Sequence, residues 1–465
     1  MSDRILFLTG RLAEANLNKV LESMQPTPFQ PVVHQLGLSV AGLMTVDMIR
    51  RRLRIAETFA GIVVPGRCRG DLTVLEAEYG IPVTRGPEEL KDLPYFFGQE
   101  SQPPVLDHYD IKIFAEIVDA PQLTVEEILD RAETFRRHGA DVIDLGCLPD
   151  TAFPHLEDAV TALRAQGLRV SVDSMEPREL VRGGLAGAEF LLSLQEDTLW
   201  VADEVASTPV LIPARPGDLD SLLRAMEQLD RKGRHYLADP ILDPLLIGFT
   251  DSILRYHELR ARRPDVDILL GIGNVTELTD ADTAGINAVL MGMATELGIT
   301  HVLTTQVSPH ARRAIREGDI ARRMMYYART VSSLPRNIHS GLLALHERRP
   351  YPYSLGEIQE TAAAVRDPSY RVQVSEEGIH IYNRDGLVSG TDPFTLYPKL
   401  AFAGDVSHAF YMGTELARAQ IAWQLGKRYT QDQELNWGCA VEQENEDRQG
   451  CLPALDDIDD TGTGL

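Results

Sequence analysis

Four segments of the chain share one pattern, in which a short apolar run ends in a polar residue and leads through a loop into a helical stretch. The clearest copy extends from Gly271 to Leu303, where GIG precedes Asn274, a long helical pattern and a second apolar run. The other copies are ADVIDLG ending at Gly146, LRVSVDS ending at Ser174 and HYLADP ending at Pro240. Strands that alternate with helices form parallel sheets, and in a closed parallel barrel the carboxyl ends of the strands meet at one mouth. The pattern therefore predicts an α/β barrel whose mouth carries acidic and amide side chains.

The same period continues on both sides of these segments. We identify eight candidate strands after Ile111: IKIFAEIVDAP, ADVIDLG, LRVSVDS, AEFLLSL, TPVLIPA, HYLADP, VDILLGIG and THVLTTQ. Amphipathic helical patterns such as VEEILDRAETFRRHG and DLDSLLRAMEQLDRKG lie between most of them. Eight strand–helix units in roughly 220 residues fit a TIM (β/α)₈ barrel, which we place at residues 101–335.

Two smaller regions flank the predicted barrel. In residues 1–100, the runs ILFLTG, PVVHQLG and FAGIVVPG alternate with helical patterns, which predicts a small α/β domain with a parallel sheet. Residues 336–440 contain YRVQVSEEGIHIYNRDGLVSG, a pattern typical of a β-hairpin, followed by a helix. We therefore expect a small α+β domain there. Residues 441–465 are strongly acidic, which predicts a disordered tail.

Glycine-bearing turns follow two strands of the N-terminal region. The first is Thr9-Gly10, and the second is PGRCRGD, from Pro65 to Asp71. Such a turn can hold an anion, and the two arginines of PGRCRGD favour a phosphate or carboxylate contact. A plain tight turn is the other interpretation. Neither a GxGxxG motif nor a P-loop is present in the sequence.

Charge and cysteine content narrow the class of function. The chain has 45 basic and 69 acidic residues and a formal net charge of −24, which argues against nucleic-acid binding. The longest apolar runs have the length of strands, so we expect no membrane contact. The four cysteines are scattered and form no CxxC pair, so we expect a cytoplasmic protein without a disulfide framework or a zinc site; they are Cys68, Cys147, Cys439 and Cys451.

The barrel motifs resemble those of the pterin-binding family, which includes dihydropteroate synthases and the pterin-binding domains of corrinoid-linked methyltransferases. ADVIDLG is similar to the family's ADxIDxG element, VSVDS to its strand ending in (I/V)D(T/S), and HYLADP to the strand whose terminal Asp-Pro holds the pterin. GIGNVTE looks closest to the methyltransferase version. The three-part chain as a whole resembles the dihydropteroate-synthase-like proteins of tetrahydromethanopterin pathways.

The resemblance implies a pterin site built from side chains at the strand ends. These are Asp144, Asp173, Ser193, Asp239 and Asn274, with Glu116 and Asp119 as further candidates. Each has a structural alternative. Asp173, Asp239 and Ser193 are placed to cap helices. Asp144 is placed to accept a buried hydrogen bond, and Asn274 to form a turn.

The resemblance also implies a transferase that joins a dihydropterin-methyl diphosphate to a ribofuranosyl-aminobenzene-type arylamine. Three departures bear on that chemistry. The synthase has a Lys where this chain has Gly273-Asn274-Val275, an Arg and a His where it has Thr304-Thr305-Gln306, and an Arg in the loop that is here CLPDTAFP. Mg²⁺ is a candidate cofactor, with Glu116 and Asp119 as hypothetical ligands, and no catalytic residue is assigned. The alternatives are a methyltetrahydrofolate:corrinoid type of methyl-group enzyme and a non-catalytic pterin-binding protein. The partners expected are a small-molecule pterin and an arylamine, and a homodimer is compatible with the resemblance.

Overall fold

A computed structural model describes residues 3–55, 57–87, 90–98, 104–400 and 405–441. The chain divides into two compact units. The first comprises Met1–Pro103 with Leu345–Asn436, and the second comprises Pro104–Ala344 with the segment that begins at Trp437. The predicted N-terminal and C-terminal regions thus supply the two segments of one unit. The predicted acidic tail lies outside the described residues, except for Val441. Within the described residues, no helix has the length and apolarity that a membrane crossing requires.

The N-terminal segment of the first unit forms a four-stranded parallel sheet in the order β2-β1-β3-β4. Its strands are β1 (Asp3–Thr9), β2 (Phe29–Gln35), β3 (Gly61–Val64) and β4 (Val83–Arg85). Its helices are α1 (Glu14–Ser23), α2 (Val46–Arg52), α3 (Thr73–Tyr79) and α4 (Leu93–Phe96). Side chains of successive strand residues point to opposite faces. Accordingly Leu6 and Leu8 of β1 pack with α2 and α3, whereas Phe7 packs with α1 on the other face.

The second unit contains an eight-stranded parallel sheet in the order β10-β9-β8-β7-β6-β5-β12-β11. Its strands are β5 (Lys112–Ile117), β6 (Val142–Gly146), β7 (Arg169–Asp173), β8 (Phe190–Leu194), β9 (Thr208–Leu211), β10 (Leu237–Ala238), β11 (Leu269–Gly271) and β12 (His301–Thr305). A parallel bridge between Ala238 and Ile268 joins the two ends of the sheet. The sheet is therefore a nearly closed barrel, and each of the eight predicted strands is confirmed.

Helices follow the barrel strands along the chain. They are α5 (Val125–Arg137), α6 (Leu156–Ala165), α7 (Pro177–Ala186), α8 (Val201–Glu204), α9 (Leu219–Arg231), α10 (Phe249–Arg262), α11 (Gly273–Thr276), α12 (Thr283–Glu296) and α13 (Ala314–Thr330). A separate apolar cluster lies within the barrel, and its members come from alternate positions of the strands. Phe114, Val142, Phe190, Val210 and Leu237 are among them. The barrel interior is thus a packed core, as side-chain layers require in this fold.

The C-terminal segment of the first unit is a small α+β structure, as the sequence predicts. Its three strands form an antiparallel sheet: β13 (Arg371–Ser375), β14 (Gly378–Asn383) and β15 (Gly386–Gly390). Its helices are α14 (Leu355–Ala364), α15 (Pro393–Leu396) and α16 (Val406–Leu425). The hairpin pairs Ser375 with Gly378 around the predicted turn.

A buried arginine closes the amino-terminal end of the barrel. The Arg322 side chain, on α13, is 1% exposed and donates hydrogen bonds to the carbonyl oxygens of Ile111 at 2.6 Å and Gly139 at 2.8 Å. Its guanidinium forms ion pairs with Asp141 and with Asp319, and the second pair measures 2.6 Å. Because Ile111 and Asp141 precede neighbouring strands, this one side chain ties the last barrel helix to β5 and β6.

We expect Arg322→Met to lower the free energy of unfolding of the barrel by about 3–5 kcal/mol, because it leaves the largely buried carboxylate of Asp141 without its ion-pair partner. Arg329→Met is the matched control on the same helix. Arg329 pairs with Asp110, both side chains are at least 40% exposed, and such a pair contributes less than about 1 kcal/mol. Urea unfolding measures both values, and equal losses in the two variants would contradict the role assigned to Arg322.

Candidate functional site

Strand register brings three acidic side chains together at the carboxyl end of the barrel. Glu116 of β5 is the register partner of Asp144 of β6, and Asp173 of β7 is the partner of Gly146. Residues two apart on a strand share a face, so Asp144 and Gly146 point to the same side as their partners. Carboxylate oxygens of Glu116, Asp144 and Asp173 lie within 4.8 Å of one another.

Asp144 is the most buried member of this carboxyl cluster, which we define as Glu116, Asp144 and Asp173. Its side chain is 0% exposed. Its Oδ1 accepts a hydrogen bond from the Ser171 hydroxyl, but its Oδ2 has no partner among the described residues. Burial raises the pKa of Asp144 well above its ordinary value, and the negative charges of Asp173 and Glu116 raise it further. A buried acceptor without a donor is costly, so this oxygen favours a proton, a cation or a donating ligand.

The other two members are also held in an environment that disfavours their charge. Burial, helped by the charge of Glu277, raises the pKa of Glu116 to about 7. Burial, helped by Glu116 and Asp239, raises the pKa of Asp173 to about 8. Neither side chain forms a hydrogen bond with another described residue. At neutral pH the cluster therefore keeps part of its protons, as closely spaced like charges require.

The absence of a side chain at Gly146 leaves room for the side chain of Glu116. A Cβ atom at Gly146 would lie 2.7 Å from Glu116 Oε1 and 3.0 Å from the Cα atom of Val118. The second of these contacts is with backbone, which cannot move away cheaply. Glycine is thus required at the end of β6 for Glu116 to point into the mouth.

Asp239 follows β10 and is held by two donors. Its Oδ1 accepts hydrogen bonds from the Ile241 amide at 2.7 Å and from the Tyr256 hydroxyl at 2.6 Å. Burial raises the pKa of Asp239 to about 6, although the Tyr256 bond opposes the shift. Ile241 has a φ of 66°, a strained value for a β-branched residue, and such strain is common in functional loops. Tyr256, a fully buried side chain on α10, is a member of the site that sequence reasoning misses.

The remaining sequence-predicted residues have separate surroundings. Asn274 lies on α11, and its side-chain amide donates to the Leu242 carbonyl oxygen at 2.8 Å. Ser193 lies at an irregularity in the pairing of β8 with β9. Asp119 pairs with Arg131 on α5 at 2.5 Å. The structure therefore groups Glu116 with Asp144 and Asp173, and Asp119 with a surface arginine.

The carboxyl cluster has the chemistry of a divalent-cation site. It offers three hard oxygen ligands, and Mg²⁺ and Ca²⁺ prefer such ligands. The unpartnered Oδ2 of Asp144 fits this use. An organic ligand that presents several N–H donors fits the same oxygens, since each would receive a hydrogen bond in place of a proton.

Comparison with known proteins gives two matches at the level of sequence. Residues 3–88 match the model of a family described as "Family of unknown function (DUF6513)". A protein of Methanocaldococcus jannaschii, described as uncharacterized, is 26% identical over an alignment that covers 93% of this chain and 99% of that protein.

Solved structures similar to this chain include dihydropteroate synthases. The enzyme from Xanthomonas albilineans in complex with 7,8-dihydropteroate is 18% identical, with a TM-score of 0.37 over 50% of this chain and 96% of that one. The Thermus thermophilus enzyme in complex with 6HMPPP is also 18% identical, with a TM-score of 0.37 over 48% and 95%. The Yersinia pestis enzyme is 17% identical, with a TM-score of 0.38 over 48% and 94%.

The raised pKa values predict how stability depends on pH. An acid whose pKa is raised in the folded state binds more protons there than in the unfolded chain. Its stabilising contribution is therefore fully present below about pH 4, near the unfolded pKa, and is lost as the pH rises through the folded value. For Asp173, with a folded pKa of about 8, the loss extends from about pH 4 to about pH 8.

We expect Asp173→Asn to raise the free energy of unfolding by about 1–3 kcal/mol at pH 8.5 and by less than about 1 kcal/mol at pH 4.5, because Asn has no charge to bury. Urea unfolding at the two pH values measures the difference. Asp119→Asn is the control, since Asp119 lies outside the cluster and pairs with Arg131. A gain that is the same at both pH values would contradict the assignment of buried like charges.

Proposed function

We propose that the barrel mouth binds a reduced pterin and that the protein is a dihydropteroate-synthase-like transferase. Its role would lie in the biosynthesis of tetrahydromethanopterin, a carrier of one-carbon units. The proposal combines the motif resemblance of ADVIDLG, VSVDS and HYLADP with the placement of their acidic residues. The substrates would be a dihydropterin-methyl diphosphate and a ribofuranosyl-aminobenzene-type arylamine.

One observation carries the proposal, namely the convergence of buried carboxyl oxygens that lack donors. A pterin ring presents an edge on which N3–H and the 2-amino group donate side by side. Asp239 keeps Oδ1 occupied by Ile241 and Tyr256, whereas its Oδ2 has no partner among the described residues. The Asp173 carboxylate likewise has no hydrogen-bond partner among the described residues. Both carboxylates thus have acceptor capacity that a donor-rich ring would use, with charge-assisted hydrogen bonds.

The proposed reaction is a displacement at the exocyclic methylene carbon of the pterin. The arylamine nitrogen forms a bond to that carbon, the carbon–oxygen bond to diphosphate breaks, and diphosphate leaves with the electron pair. The amine nitrogen then releases its proton to water. The contribution of Asp173 and Asp239 is to fix the ring so that the methylene group faces the incoming amine, which replaces a costly bimolecular encounter by a held geometry.

The departing diphosphate needs positive charge, and this chain lacks the synthase pattern of basic residues. Where the pattern has Lys, this chain has Gly273-Asn274-Val275. A divalent cation such as Mg²⁺, when bound, neutralises charge on a phosphate leaving group. Glu116 and Asp144 are the residues that would hold it, and Asp173, the third member of the carboxyl cluster, lies beside them. In this proposal Asp173 and Asp239 bind the pterin ring.

The two alternative functions lead to different expectations for the contacts of Asn274 and for the release of diphosphate. A methyl-group enzyme would use the Asn274 amide on the pterin, but that amide donates to the Leu242 carbonyl oxygen, so this observation does not favour it. A non-catalytic pterin-binding protein would use the same carboxylates without releasing diphosphate. Binding and turnover are therefore measured separately.

We expect Asp239→Asn to weaken the binding of 6-hydroxymethyl-7,8-dihydropterin by about 30- to 1000-fold, equivalent to about 2–4 kcal/mol. The substitution keeps the size of the side chain and removes the charge that strengthens the hydrogen bonds. Asp282→Asn is the control, because Asp282 is an exposed residue at the start of α12 and forms no capping hydrogen bond. Calorimetric titration of both variants measures the affinities. Equal affinities would remove Asp239 from the pterin site.

For turnover, we expect the full chain with Mg²⁺ to release diphosphate from 6-hydroxymethyl-7,8-dihydropterin diphosphate only when an arylamine is present. The assay compares 4-aminobenzoate with its ribofuranosyl phosphate derivative, and measures diphosphate and the coupled product. Glu116→Gln should slow release and weaken its dependence on Mg²⁺. Pterin binding without release under any of these conditions would leave the non-catalytic alternative.

A further inference from the structure

The first unit contains a cavity of about 290 Å³, and all the residues that line it belong to that unit. The carboxyl ends of β1 and β3 line one side of it, through Thr9 and through the turn Pro65-Gly66-Arg67. The strand order β2-β1-β3-β4 explains the position of the cavity. From β1 the chain crosses to β2 on one side, and it returns to β3 on the other, so the loops after β1 and β3 diverge. In open parallel sheets, this switch point is where ligands bind.

The C-terminal segment supplies the opposite side of the cavity. Arg371 and Gln373 of β13 and Tyr382 of β14 line it, together with Thr430 and Gln431 that follow α16. The Tyr382 hydroxyl donates to Gln373 Oε1 at 2.8 Å, which orients the amide so that its nitrogen is the free end. Among the described residues, that nitrogen and the Thr430 hydroxyl oxygen have no hydrogen-bond partner. The cavity therefore has donors available on the side contributed by this segment.

The lining combines positive charge with an apolar floor. Arg67 and Arg371 are its charged members, and no acidic residue lines it among the residues that the structure describes. Phe7, Leu17 and Val63 contribute apolar surface. A molecule with an apolar body and one anionic group would complement both the arginines and the apolar surface of this cavity.

Acidic residues outside the lining hold the two arginines in place. The Arg67 guanidinium donates to the Gln431 carbonyl oxygen at 2.7 Å and lies 3.7 Å from Asp432. Arg371 donates twice to Asp367, at 2.8 and 3.1 Å. The side chains of Asp432 and Asp367 are 51% and 36% exposed. These contacts fix the orientation of the two guanidinium groups that line the cavity.

We propose that this cavity binds a small organic anion, with an aromatic or aliphatic body of one or two rings and a single carboxylate or phosphate group held between Arg67 and Arg371. The volume is at the lower end of the range for small-molecule sites, which sets the size of the ligand. The site is independent of the pterin site in the barrel. It assigns a function to the arginine-bearing turn PGRCRGD, for which the proposed transferase has no use.

The proposal is tested by calorimetric titration of the full chain with phenyl phosphate and, separately, with benzoate. The two probes share a ring and differ in the anionic group, so their relative affinities identify which anion the arginines prefer. We expect saturable binding of at least one probe, weakened about 10- to 100-fold by Arg67→Gln and by Arg371→Gln, because each loses a charge-assisted hydrogen bond. Arg51→Gln is the control for net charge, since Arg51 is exposed on α2 and lies outside the lining.

Two further variants locate the binding. Gly42→Leu should abolish it, because Gly42 lines the cavity and a Cβ atom there would lie 3.6 Å from the Arg67 side chain, an ordinary contact, so a larger side chain fits only by occupying space beside Arg67. Its thermal unfolding should match that of the unaltered chain. Asp239→Asn should bind the probe normally, which separates this site from the barrel mouth. The absence of saturable binding of both probes up to about 10 mM, or equal effects of Arg67→Gln and Arg51→Gln, would overturn the proposal.

Discussion

The removal of like-charged carboxyl groups from water is the constraint on which the barrel mouth depends. Parallel strands that close into a barrel bring side chains of the same parity into one small space. Here that space holds Glu116, Asp144 and Asp173, with oxygens within 4.8 Å. Three negative charges at this spacing cannot persist without protons, a cation or donating groups. The occupant of the mouth therefore determines its ionisation, and each candidate occupant replaces protons that the free protein must otherwise keep.

Buried charged groups are paired at the amino-terminal end of the barrel and incompletely paired at its carboxyl end. At the amino-terminal end, Arg322 is matched by Asp141 and Asp319, and the backbone carbonyls nearby also receive its N–H groups. At the carboxyl end, Asp144 Oδ2 is left without a donor among the described residues. A fully matched network stabilises a fold, whereas an unmatched one leaves affinity for a ligand. The division agrees with the general placement of stability and chemistry in parallel barrels.

Periodic features of the structure could be predicted from the sequence. The eight barrel strands, the N-terminal parallel sheet and the C-terminal hairpin each leave a local pattern of apolar residues, and strand-end acids such as Asp239 follow from it. Tyr256 could not be predicted, because a helical tyrosine that donates to Asp239 has the same spacing as a core residue. The choice of Glu116 over Asp119 for the cluster depends on which residue ends β5, and a pattern fixes that only within a few residues. The approach of residues near 65 to residues near 371 and 431 could not be predicted either, because no local pattern in the sequence indicates it.

The division of the first unit into two segments has a consequence for how the protein is made. About 240 residues of barrel sequence separate Pro103 from Leu345. At ordinary rates of translation, roughly ten to fifty seconds pass between completion of the N-terminal sheet and the appearance of its C-terminal partner. During this interval, the strand ends that Arg371 and Tyr382 later cover face solvent or a chaperone. The apolar surface at the strand ends of the N-terminal sheet is therefore enclosed only after the ribosome has finished synthesising the barrel.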